Sequence, residues 1–223
     1  MRPETRYFAG SGWPVLAAAL IQDRIADVLS QQTSCSVVLT GGRSAERLYK
    51  NWSELPAFLQ LSGVNFYFGD ERCVPPDHAD SNYGLAMRTL FCRGVPIGCS
   101  VYRMEADDLD RAAAAQRYGE TIPQQVDVML LSVGEDGHIA SLFPGTSELA
   151  ELSKRVVPVN GPKRPNKRLT ITPAVILQAQ SIFVLATGAS KADVLVRALQ
   201  NPGDFVTLPA RLVLDATWVL DTV

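Results

Sequence analysis

The chain has 223 residues and a mass of 24.2 kDa, with 47% hydrophobic and 20% charged residues, a globular composition that excludes intrinsic disorder as the main state. The 21 Lys and Arg against 23 Asp and Glu leave a net charge of −2, which argues against nucleic acid as the main partner. The longest apolar run, residues 15–21, is far short of the roughly 20 residues of a membrane span.

The opening stretch, MRPETRYFAGSGW, lacks the apolar core of a signal peptide. Leu16, Leu20, Ile21, Ile25, Val28 and Leu29 recur at helical spacing and predict an amphipathic helix over residues 15–30. Cys35–Leu39 (CSVVL) is short and β-branched and predicts a buried strand. Gly41-Gly42 break that pattern, and Ser44 can cap a helix carrying Leu48 and Tyr49. Val64–Phe68 predicts a second strand, residues 69–80 a loop, and Ser81 or Asn82 the cap of a helix through Leu90. Val101-Tyr102 reads as a short strand. Asp107 and Asp110 suit the start of a helix through Tyr118. Residues 126–133 (VDVMLLSV) form the most apolar strand candidate.

Residues 154–167 hold Gly161, Pro158, Pro162 and Pro165 among basic Lys163, Arg164 and Lys167, and read as a long, hydrated surface loop. Residues 168–172 and 181–186 predict strands. Ser190 with Asp193 resembles a capping box opening a helix with Leu195, Ala198 and Leu199 on one face. Val213-Leu214 and residues 218–220 look like closing strands. The alternation argues for an α/β fold, a mostly parallel sheet with helices on both faces, over one domain of residues 1–223. Cys35, Cys73, Cys92 and Cys99 form no CxxC pair and read as buried or free thiols of a cytoplasmic protein.

Four polar, glycine-containing loops follow predicted strands: residues 40–44 (TGGRS), 69–72 (GDER), 134–138 (GEDGH) and 187–191 (TGASK). In a parallel sheet, the crevice beyond the strand carboxyl ends is where ligands bind. Gly41, Gly42, Arg43 and Ser44 would bring backbone N–H groups, a guanidinium and a hydroxyl to an anion at a helix start. Lys191 adds an ammonium at a second helix start. The 69–72 loop either orients a substrate or holds itself together by an internal ion pair. Of the two histidines, His78 reads as a loop residue, whereas His138 follows the most apolar strand on the crevice rim and is the candidate general base. Walker A, G-x-G-x-x-G and G-x-S-x-G patterns are absent, and no zinc-ligand spacing appears.

These loops carry a family resemblance. The blocks LTGGRSAERLY (39–49), FGDERCVPPDHADSNYGLA (68–86), VDVMLLSVGEDGHIASLFPG (126–145) and RLTITPAVILQAQSIFVLATGASKADVL (168–195) resemble 6-phosphogluconolactonases, within the wider group that includes glucosamine-6-phosphate deaminases. The resemblance implies a Rossmann-like domain that hydrolyses 6-phospho-D-glucono-1,5-lactone in the oxidative pentose phosphate pathway, without metal or organic cofactor. It implies a small sugar-phosphate lactone as the partner, no nucleic acid or membrane, and a monomer or weak homodimer. It makes His138 the general base, with Asp136 and Asp70 at acidic positions near the histidine or the sugar. Gly42, Arg43, Ser44, Arg72, Arg168 and Lys191 match positions expected near the phosphate, beside Gly41. The deaminase branch typically continues its DGH block with FNEP, which supplies a Glu beside the His. Here Ile139-Ala140-Ser141 follow, which favours the lactonase side over a deaminase, and the intact His138 and unbroken DGH loop weigh against a non-catalytic sensor.

Overall fold

The computed structural model describes residues 4–7, 12–162, 164–201 and 203–221; Lys163 lies outside them. Strand β2 (Cys35–Leu39) is buried at every position. Successive side chains of a strand point to opposite faces, so both faces of the sheet are covered there, which is why the segment reads as a continuous apolar run. β3 (Val64–Phe68) and β6 (Val128–Ser132) are nearly as buried. With β1 (Glu4–Tyr7), β5 (Ser100–Val101), β9 (Ser181–Leu185) and β10 (Thr217–Leu220) they form a seven-stranded, wholly parallel sheet in the order β1-β10-β9-β6-β2-β3-β5.

The helices supply the covering layers. In α1 (Trp13–Leu29), Trp13, Ala17, Ile21 and Ile25 are buried at helical spacing. This helix rests on α2 (Gly42–Trp52). There the indole Nε1 of Trp52 donates to Gln22 Oε1 at 2.8 Å, which satisfies a polar atom inside the core. α4 (Asn82–Thr89), α5 (Arg111–Thr121) and α7 (Ala189–Gln200) complete the longer helices, with short α3 (Pro56–Leu59) and α6 (Pro173–Ile176) opened by prolines. Ser81 and Asp110 cap α4 and α5 through their side chains. Asp107 instead holds Arg103 in the preceding turn.

Several expectations are corrected. Residues 69–80 and 154–167 are not simply loops. β4 (Asp70–Arg72), β7 (Val156–Asn160) and β8 (Lys167–Ile171) form a second, antiparallel sheet in the order β4-β8-β7. Residues 168–172 are therefore a strand, but outside the main sheet. Val156, Val157 and Val159 are buried, and Pro158, lacking an N–H, is tolerated on an edge strand. Ser44 and Ser190 are not caps, since Gly41 and Gly188 occupy those positions. Leu199 is exposed, while Val194, Leu195 and Ala198 are buried. Val213 lies in a 3-10 turn, Pro209–Val213, rather than a strand.

From β2 the chain builds outward through β3 and β5, then returns to the other flank of β2 as β6. The switch point of the sheet therefore lies between β2 and β6. Their pairing covers only Val37 with Val128 and Val38 with Met129. Beyond it, side chains replace the ladder. Ser132 N donates to Thr40 Oγ1 at 3.1 Å, and Ser132 Oγ donates to Gly41 O at 3.0 Å.

Candidate active site

A cavity of about 150 Å3 opens at that switch point, where crevices of open α/β sheets hold their ligands. Each of the four loops after β2, β3, β6 and β9 contributes to its wall. Thr40, Gly41 and Gly42 come from the first, Asp70 and Arg72 from the second, Gly134 and His138 from the third, and Lys191 from the fourth. Asn82, Ala140 and Arg168 close it. Larger cavities exist; the one of about 430 Å3 around Arg24 and Asp215 lies away from the strand carboxyl ends, beside Ser181 and Thr217 at the starts of β9 and β10.

His138 is held by its own loop. Its Nδ1 lies 2.5 Å from Asp136 Oδ1, and its N–H reaches the same oxygen at 3.3 Å. The contact with His138 holds the Asp136 carboxyl down at about 2. A charged carboxylate on Nδ1 favours the tautomer with hydrogen there, leaving Nε2 basic. The loop turns on Gly137 at φ 84°, and Gly134 N donates to His138 O at 2.9 Å. A Cβ on Gly134 would lie 2.2 Å from His138 Cε1 and Nδ1, so the imidazole occupies the space that only glycine leaves. On its other side the ring meets Phe143, with centroids 4.8 Å apart.

The β4–β8 pair supplies the charge. Its register sets Asp70 opposite Thr170, Glu71 opposite Leu169 and Arg72 opposite Arg168. The period of two places Asp70, Arg72, Thr170 and Arg168 on one face and Glu71 on the other. Two arginines directly opposite repel each other, an arrangement that an anion would relieve. Burial pushes the Arg168 guanidinium down from its ordinary value, with nearby Asp70 acting the other way and Arg72 reinforcing the shift. Arg72 Nη1 donates to Asp80 O, and its buried Nε has no hydrogen-bond partner among the described residues. Phe143 also stacks beneath Arg168, whose Cζ is 5.5 Å from the ring centre.

Glu71, by contrast, is structural. Its carboxylate accepts from Arg72 N, Asn82 N, Tyr83 N and Ser81 Oγ at 2.7–3.0 Å, closing the start of α4. Burial pushes its carboxyl up, while those backbone N–H groups pull it back. Four donors and no acceptor are the surroundings of an ionised carboxylate. Asp70 is also buried; its Oδ1 accepts from Asn82 Nδ2 at 3.0 Å and its Oδ2 from Ser141 Oγ at 2.6 Å.

The helix starts supply the remaining donors. Neither Gly41 nor Gly188 offers a capping side chain, so the first-turn N–H groups of α2 and α7 lack the usual cap. Gly42, at φ 91°, adopts a conformation that suits glycine, and a Cβ on Gly41 would lie 1.9 Å from Asn82 Oδ1. Lys191 enters the cavity wall; burial lowers its ammonium from the ordinary value, and Arg43 nearby adds to the shift. Arg43 itself is exposed and stands outside the wall. Ser44 is buried and turned away, its Oγ 2.6 Å from Thr187 Oγ1, where it ties the starts of α2 and α7 together.

The structure thus gathers Gly41, Gly42, Asp70, Arg72, His138, Arg168 and Lys191 around one cavity, with Asp136 behind the histidine. Asn82, Ala140, Ser141 and Phe143 join or back this wall without a signal in the sequence. Asn82 looked like a helix cap, and nothing in its type announced the bond to Asp70. His78 remains a loop residue, accepting from Asp80 N at 3.1 Å. Among the described residues no group of three or more His, Cys, Asp or Glu side chains could hold a metal ion. No helix among them is long and apolar enough to cross a membrane.

Comparison with known proteins places this geometry. The family model described as glucosamine-6-phosphate isomerases/6-phosphogluconolactonase matches residues 15–220. A 6-phosphogluconolactonase of Rattus norvegicus is 36% identical over 225 residues, covering 92% of this chain and 85% of the relative. A solved 6-phosphogluconolactonase from Trypanosoma brucei superposes with a TM-score of 0.82 at 28% identity, over 99% of this chain and 96% of that one. A monomeric glucosamine-6-phosphate deaminase shares the fold, with a TM-score of 0.83 at 21% identity over 98% of this chain and 97% of that one.

Proposed function

The chain belongs to the family of glucosamine-6-phosphate isomerases and 6-phosphogluconolactonases, and we propose that it hydrolyses 6-phospho-D-glucono-1,5-lactone to 6-phospho-D-gluconate. That reaction is the second step of the oxidative pentose phosphate pathway. The reading makes a small sugar-phosphate lactone the partner, without nucleic acid or membrane, and puts the enzyme in the cytoplasm. The observation that carries it is a histidine backed by a carboxylate at 2.5 Å, on the rim of a cavity lined by Arg72, Arg168 and Lys191.

The lactone carbonyl is already electrophilic, so water suffices as nucleophile. His138 Nε2 takes a proton from that water as its oxygen bonds to C1, while Asp136 holds Nδ1–H and balances the imidazolium. The tetrahedral oxyanion then collapses. The bond from C1 to the ring oxygen breaks, and the imidazolium returns its proton to that oxygen, which leaves as the C5 hydroxyl. The acid product ionises to the gluconate. Gly134 N–H and Gly137 N–H are engaged by carbonyls of their own loop. The oxyanion is therefore assigned to the N–H groups opening α2 or to a guanidinium. The remaining cations and the start of α7 hold the phosphate, remote from the breaking bond, and so fix orientation.

The deaminase reading shares the fold but needs an acid beside the histidine. Ile139-Ala140-Ser141 supply none, and the buried carboxylate nearby, Asp70, is engaged by Ser141 and Asn82. The experiment presents the protein with freshly made lactone and, separately, with glucosamine-6-phosphate. Formation of 6-phosphogluconate faster than spontaneous opening, without ammonia release, supports the lactonase reading. Ammonia release without lactone opening overturns it.

A further inference from the structure

Ser141 is fully buried three residues beyond His138. It follows Ala140, a non-glycine held at φ 48°, a conformation that side chains rarely adopt. Its polar groups meet three residues on one face of the β4–β8 pair. Its N–H donates to Thr170 Oγ1 at 3.1 Å, and its hydroxyl donates to Asp70 Oδ2 at 2.6 Å. Arg168 Nη1 donates to the same hydroxyl oxygen at 3.3 Å. A hydroxyl has one hydrogen and two lone pairs. Giving the hydrogen to Asp70 leaves the lone pairs for Arg168, so a neutral oxygen stands between a buried carboxylate and a buried guanidinium.

We infer that Ser141 is a positioning residue, whose hydroxyl seats the Arg168 guanidinium at the cavity wall and keeps its charge directed at an anionic ligand rather than drawn onto Asp70. The assignment rests on the reading of this cavity as the phosphate-bearing substrate's site. Its action passes through Arg168, and through Asp70, whose second oxygen Asn82 holds. The same residue fixes the strained turn after His138 to β8, so one hydroxyl links the loop of the base to the cation it works beside.

The test reads phosphate binding and turnover separately. Inorganic phosphate is titrated calorimetrically into wild type, Ser141→Ala, Arg168→Ala and the double variant, and kcat and KM are measured with the lactone. Ser141→Ala is expected to weaken phosphate binding and raise KM about tenfold, with kcat changed less than about threefold. In the Arg168→Ala background the same change adds no further loss, a coupling that a merely structural serine would not show. Unchanged phosphate affinity in Ser141→Ala, or an equal loss repeated on top of Arg168→Ala, overturns the assignment. If Ser141→Ala fails to fold, Ser141→Cys, which keeps a weak donor, carries the same comparison. Because phosphate binding is read without turnover, coupled Ser141 and Arg168 in a protein that does not open the lactone would refute the proposed reaction alone. Lactone opening with uncoupled residues would refute only the role of Ser141.

Discussion

Adding one methyl group to Gly134 should disable the enzyme while leaving it folded. The Cβ of Gly134→Ala would lie 2.2 Å from His138 Cε1 and Nδ1 and 2.7 Å from Asp136 Oδ1, where ordinary contact begins at 3.4 Å. The ring must therefore give way by about 1.2 Å. Gly134 is not at positive φ, so alanine does not strain its backbone, and the histidine side chain is 27% exposed and can swing toward solvent. A displacement of about 1 Å from productive geometry costs on the order of 100-fold in rate. The assay is kcat for lactone opening above the spontaneous rate, beside a thermal melt. We expect kcat to fall at least about 100-fold with KM little changed. Tm should move by no more than about 4 °C. Gly203→Ala, with nothing within 4 Å of its Cβ and no positive φ, is the silent control. A folded Gly134→Ala protein with wild-type kcat would show that catalysis does not depend on His138 occupying the space beside Gly134.

Three further expectations follow from the same geometry. The Asp136 carboxyl, lowered from 3.8 to about 2 by His138, contributes stability above its ordinary value that is lost as the pH falls toward 2. Carbon NMR of that carboxyl should show the low midpoint, returning toward 3.8 in His138→Ala; an unchanged midpoint would break the pairing. Glu71→Gln keeps one acceptor oxygen for four donors, so urea unfolding should show a loss of about 3 kcal/mol from two missing bonds to a charged group. A loss below about 0.5 kcal/mol would make the cap dispensable. Lys191→Ala should raise KM for the phosphorylated lactone about tenfold with kcat nearly unchanged. It should leave the turnover of an unphosphorylated gluconolactone unaffected, and equal losses on both substrates would remove the phosphate from its neighbourhood.

The parts of the fold legible in the sequence are those where one physical term dominates. β2 and β3 lie where their apolar runs, β-branched in β2 and aromatic in β3, predict them, because central parallel strands are buried on both faces. Asp110 and Ser81 serve as helix caps because their oxygens meet orphan N–H groups. The second sheet was hidden because its signals conflict. β4 is three charged residues, of which Glu71 is buried only because α4 begins on it. β7 sits in a stretch whose prolines read as loop, while its valines are buried. Ser44 and Ser190 looked like caps, but glycines precede both helices, leaving the hydroxyls to bond Thr187 and Glu135.

The same division holds for the cavity. Glycine-rich loops after apolar strands place its wall on the sequence, since parallel strands end on one side. The partners of its charges come from tertiary register. Arg72 faces Arg168 across β4 and β8, which lie nearly 100 residues apart in the chain, and no local spacing shows that opposition. Asn82 and Ser141 are tied to the cavity through the buried carboxylate of Asp70, an acid the sequence marks without showing its partners.

The most direct measurement is turnover of freshly generated 6-phosphogluconolactone, read as 6-phosphogluconate through its NADP-linked dehydrogenase, for wild type, His138→Ala and an enzyme-free blank. Wild type should accelerate opening over the blank, and kcat should fall about 100-fold or more in the variant with KM largely retained. Equal acceleration by wild type and His138→Ala would contradict the assignment of the base. No acceleration by either would contradict the lactonase reading itself.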